Sequence, residues 1–132
     1  MAFGFMDIFG SSKRRAALQL FDHTLTQLEV NPAYIDDGMR FAIFRWVEAA
    51  APADIDQAMR DAASMISFCV LGPAETEAVW GPAVRDARDA RFTAVLNGGD
   101  EDSLDARMIK LTLAKDIAAP EIRARVSLDQ EP

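Results

Sequence analysis

The chain has 132 residues, half of them apolar and 27% charged, with a net charge of −7 and a single cysteine. That is enough apolar material for one domain with a buried core, and one thiol excludes an internal disulfide framework or a multi-thiolate metal site. The acidic balance argues against nucleic acid, whose phosphates demand clustered Lys and Arg, and no apolar run reaches the ~18 residues of a transmembrane helix.

The opening, MAFGFMDIFGSSKRR, is the least ordinary stretch. Secretory signals place cations before the apolar run, whereas here Lys13, Arg14 and Arg15 follow it and Asp7 interrupts it. N-myristoylation requires glycine at position two, which is Ala2. Drawn as a helix, Ala2, Phe5, Met6, Ile8 and Phe9 share a broad arc, with Phe3 outside it. Burying these side chains gains on the order of 10 kcal/mol at ~2 each. Ordering ten residues costs a similar amount at ~1–2 each. The arm, residues 1–11, is therefore expected to order only against a complementary apolar surface.

Beyond the arm, apolar residues recur at helical spacing and no β-branched run alternates with period two. The pattern predicts an all-α, compact bundle of five to six helices over residues 12–128, with a polar tail at 129–132. A first helix is expected from Ser12 to Val30, with a stripe of Leu18, Phe21, Leu25 and Leu28, stopped by Asn31-Pro32. The second spans Ala33 to Ala51, the third Ala53 to Leu71 before Gly72-Pro73, and a short one runs from Pro73 to Trp80. Pro82 opens a helix to Leu96, stopped by Asn97-Gly98-Gly99. Its alanines at 83, 87, 90 and 94 would admit a close neighbour. The last main helix is expected over Asp102–Ala119, and Pro120 starts a final short one.

Chemistry is sparsely advertised. His23 is the only imidazole and lies opposite the stripe of its helix, so it should be solvated. Cys69 sits in an apolar stripe near a helix C-terminus, the wrong setting for a reactive thiolate. The acidic run from Asp100 to Asp105 lacks the glycine and glutamate that a calcium loop needs, and reads as helix capping. Asp36-Asp37 falls in the first turn of the second helix, where the dipole accounts for it. Arg85, Asp86, Arg88, Asp89 and Arg91 alternate as on a solvated face. No phosphate loop, nucleophile elbow or dinucleotide fingerprint occurs. No catalytic, cofactor or metal residue is assigned.

Helix two carries apolar residues on two sides. Ile43 and Trp46 belong to its main stripe, whereas Phe41 and Phe44 project from roughly the opposite side. The last main helix repeats this, with Leu104, Met108 and Leu111 on one face and Ile109, Leu113 and Ile117 on another. Such helices are either central or have a second face for another surface. The expectation is a non-enzymatic interaction subunit or adaptor, with a protein partner or a second copy as ligand. It would dock through Phe3, Phe5, Met6, Ile8, Phe9, Lys13, Arg14, Arg15, Phe41 and Phe44. A second reading makes the arm and its three cations an interfacial anchor on an anionic membrane, and a third is a small-ligand-binding helical domain. The single thiol fits a cytoplasmic address, at the inner face of the membrane in the second reading. Arginine-over-lysine and alanine-rich usage suggests a bacterial source.

Overall fold

The structure is a computed structural model that describes the backbone of residues 2–130 and the side chains of residues 12–127. The described residues are all-α: α1 (Ala2–Gln27), α2 (Asp37–Ala49), α3 (Ile55–Trp80), α4 (Pro82–Leu96), α5 (Leu104–Ala114) and α6 (Pro120–Gln130). A single 3-10 turn, Pro32–Tyr34, links α1 to α2.

Helix starts follow local chemistry. Asp36, Asp54 and Ser103 each accept a backbone N–H three residues on, capping α2, α3 and α5. Pro82 and Pro120 occupy first turns, where a missing N–H costs nothing.

Three helix ends share one motif, in which a left-handed residue is bracketed by two backward hydrogen bonds. After α1 this residue is Glu29 (φ +65°), with Glu29 N–H donating to Thr26 O at 3.2 Å and Val30 N–H to Leu25 O at 2.9 Å. Buried Val30 and Leu25 supply the motif's apolar contact. Gly98 does the same after α4, and Asp116 (φ +60°) after α5. Asp116 explains why α5 stops at Ala114 rather than reaching Ala119.

α3 is the axis of the bundle and packs against every other helix. Met65 through Cys69 are five consecutive buried residues, so this helix is covered all round rather than along one stripe. At Gly72 (φ 85°, ψ 166°) it breaks into two helical halves. Pro73 has no N–H to offer the Cys69 carbonyl. Ala119 N–H fills that vacancy at 2.8 Å, which seats the α5–α6 connection against the kink. Phe21, Phe68 and Phe92 are fully buried, with the rings of the last two 5.9 Å apart.

Four expectations are corrected. α1 begins at Ala2, not at Ser12, as one unbroken helix. α2 begins only at Asp37, because Asp36 caps it. The alanines at 83, 87, 90 and 94 are exposed, because Phe92 with partly buried Val95 and Leu96 forms the core face of α4. The alternating charges of α4 mostly reach across to other helices: Arg91 pairs with Asp105 of α5 and Asp89 with Arg125 of α6. Arg85, which pairs with Asp86, also reaches Glu77 of α3 at 3.6 Å.

Candidate docking face

Most of the polar clusters are structural ties. Arg40, on α2, donates to Asp22 of α1 at 2.9 Å and to the Pro32 carbonyl at 2.8 Å, holding three elements together. Arg91 grips Asp105 through two nitrogens at 2.6 and 3.2 Å and reaches Asp61 O and Ser64 Oγ on α3. Burial works against its charge, yet Asp105 keeps its pKa raised. Arg125 pairs with Asp89 at 2.6 Å and lies over the Phe92 ring. Arg88 leaves a buried Nη1 without a hydrogen-bond partner, and its guanidinium rests over Trp80 instead. Burial and the nearby Arg91 charge push its pKa down.

Two further cation–aromatic contacts flank α2, one towards α1 and one towards α5. Phe41 stays 44% exposed, with the Arg14 guanidinium of α1 5.2 Å from its ring centre. Five residues further on and about 140° round α2, half-buried Trp46 carries Arg107 of α5 over its indole, also at 5.2 Å. Two hollows flank Trp46. One, of about 250 Å³, lies towards α5 and is lined by Leu111, Ala114 and the stems of Arg107 and Lys110. The other, of about 580 Å³, lies along α2 between Ala42, Arg45, Glu48 and Ala49. Acceptors interleave with the cations: the Asp102 carboxylate meets Arg107 at 3.4 Å, and Lys110 donates to the Glu101 backbone carbonyl at 3.3 Å. The surface beside Trp46 thus combines an apolar floor, a half-buried aromatic and a rim of both charge signs.

Of the residues expected to dock, Lys13, Arg14, Arg15 and Phe41 are exposed, and Arg14 lies over Phe41. Phe44 is not: it is 5% exposed and belongs to the core, because the buried side of α2 runs from Met39 through Ile43 and Val47 to Phe44. Phe3, Phe5, Met6, Ile8 and Phe9 lie outside the described side chains. Trp46 was assigned to the core stripe, and its place beside Arg107, 61 positions away, has no local signature. The double-sided character of α2 and of the last main helix was the one usable signal.

The other candidates behave as their settings dictate. His23 is exposed. Cys69 is buried beside Thr112, and burial pushes its thiol up to about 12. Asp100 accepts the Asp102 N–H and Ser103 caps α5 by accepting the Ala106 N–H, which together fold the α4–α5 loop. Among the described residues no helix is long and apolar enough to cross a membrane. Compared with protein-family models, curated proteins and solved structures, the chain finds no match in any of the three.

Proposed function

We propose that this protein is a non-enzymatic interaction subunit that docks a protein segment on the face formed by Arg45 and Trp46 of α2 with Arg107, Lys110 and Leu111 of α5. The observation that carries this reading is Trp46, an indole left half-buried between two open hollows with a guanidinium over its ring. Large aromatic and arginine residues at the centre of a concave patch carry binding energy out of proportion to their area. The N-terminal arm is the second docking element, as its apolar arc and trailing cations imply.

The test is affinity capture from a lysate of the source organism with three baits: the intact protein, Ala49→Arg and Ala90→Arg. Ala49 is exposed and lines the larger hollow, whereas Ala90 is exposed on the far-removed α4. A partner kept by the intact chain and Ala90→Arg but lost by Ala49→Arg is the expected result. Identical capture by all three sinks the proposal.

The exposed Lys13, Arg14 and Arg15 favour a second reading, attachment to an anionic bilayer. Against it stand Glu48, Glu101 and Asp102 around Trp46, which a uniformly negative surface would repel. Co-sedimentation with phosphatidylglycerol vesicles decides: binding lost on deletion of residues 2–10 supports the bilayer, and no binding removes it.

A further inference from the structure

α6 holds to the bundle through few apolar atoms. Ile122 is fully buried and Val126 partly so, whereas Glu121, Arg123, Ala124 and Ser127 are exposed. Ile122, Arg125 and Val126 share an arc of about 100° on the helix, so a guanidinium stands on the inner face where a third apolar residue would ordinarily pack. Arg125 donates to Asp89 at 2.6 Å and to the Thr93 hydroxyl at 2.9 Å, and lies 4.8 Å from the Phe92 ring centre. The Thr93 hydroxyl donates in turn to Asp89 at 3.1 Å, closing a triangle between one residue of α6 and two of α4. The Arg125 and Asp89 side chains are each 32% exposed, and an open hollow lined by Asp86, Asn97 and the triangle lies beside them. Dissolved ions therefore reach and screen this tie.

The near end of α6 is held differently. The Ala119 N–H bonds the Cys69 carbonyl, and Ala119 and Glu121 sit against Gly72 at the break in α3. The exposed Arg123–Asp116 pair joins α6 only to the connection just before it. Phe21, Met65, Phe68, Phe92 and Met108, the centre of the core, all belong to α1–α5.

We propose that α6 is a releasable strap, which undocks as a unit while α1–α5 stay folded, with Arg125 as its clasp and ionic strength as the condition that loosens it. Opening uncovers the Phe92 edge, returns the Cys69 carbonyl to solvent and frees Gly72, so the state of the strap sets how firmly α3 is held at its break. Such partial opening draws on the part of a fold with the fewest buried contacts. No residue around Trp46 takes part, so the strap and the docking face stand or fall separately.

Amide hydrogen exchange followed by NMR on the full chain tests this. The reporters are the N–H groups of Ala119, which bonds Cys69 O, and of Ile122 and Arg123, which bond Ala119 O. They are compared with the amides of Met65 through Cys69 in α3. The α6 reporters are expected to exchange together, roughly 100-fold faster than those of α3, with a shallower dependence on urea. About 1 M sodium chloride should speed them several-fold and leave α3 unchanged. Arg125→Ala should speed them about tenfold, again without change in α3. Arg125→Lys, which keeps the charge but cannot bridge Asp89 and Thr93 in the same way, should fall between. Equal rates and equal urea dependence in α6 and α3 of the intact chain would overturn the proposal, because α6 would then open only with the whole fold. So would α6 rates indifferent to both salt and Arg125→Ala, or an Arg125→Ala change that speeds α3 equally. Reporters with no protection in the intact chain would also overturn it, since a strap must first be docked.

Discussion

The Ala119 N–H donates to the Cys69 carbonyl at 2.8 Å, across 50 positions of sequence, because Pro73 has no hydrogen to give it. The kink in α3 and the turn into α6 are thus one feature. Gly72 makes it possible with a backbone that side chains do not adopt (φ 85°, ψ 166°), and a Cβ there would meet Glu121 Oε1 at 2.8 Å and Ala119 Cβ at 3.2 Å.

Gly72→Ala is expected to cost about 2–3 kcal/mol in urea unfolding, mostly from the backbone. Adding Glu121→Ala should recover only the small steric part. Full recovery would show that the clash, not the backbone, sets the cost.

Glu29 ends α1 in the left-handed region and makes no side-chain hydrogen bond among the described residues. Glu29→Gly is expected to raise stability by about 0.5–1 kcal/mol, since the strain relieved exceeds the entropy that glycine adds to the unfolded chain. Asp116→Gly should gain less, because Asp116 pairs with Arg123 at 2.5 Å. Equal gains at both sites would assign no value to that exposed pair.

These elements show where sequence reasoning succeeds. Pro82, Pro120 and Gly98 announce α4, α6 and the end of α4, because proline and glycine restrict or free the backbone by themselves. Glu29 and Asp116 give no such warning: acidic residues enter the left-handed region here only because the packing of Val30 and Ile117 behind them favours the turn. The central position of α3 was hidden for a related reason. Its stripe of Ile55, Met59, Ala62 and Ile66 is visible, but burial of Met65 and Phe68 depends on helices far along the chain. Phe41 was legible as an apolar residue off the stripe and stays exposed, whereas the pairing of Trp46 with Arg107 is purely tertiary.

Asp36 caps α2, and the N–H of Met39, followed by the Lys115 ammonium, holds its carboxyl below the ordinary value of 3.8. A carboxyl depressed on folding stabilises above its unfolded value and loses that contribution as pH falls through the lower folded value. The melting-temperature gap between the protein and Asp36→Ala is expected to be constant above pH 5 and to shrink below about 3.8. A gap that stays constant down to pH 2 would mean that the charge plays no part in the cap.

Arg107 packs on Trp46 at the surface, where such contacts contribute about 0.5–1 kcal/mol. Arg107→Ala should lower stability by no more than this while opening the hollow over Leu111. A loss above about 2 kcal/mol would make Arg107 part of the fold rather than of the face.

The central claim is that Trp46 is covered when the protein works. Trp80→Phe leaves Trp46 as the only indole, and acrylamide quenching then reports its exposure alone. The quenching constant is expected to fall several-fold between the free monomer and the complex, whether the partner is a second copy or another protein. An unchanged constant in a complex of proven stoichiometry would contradict the account.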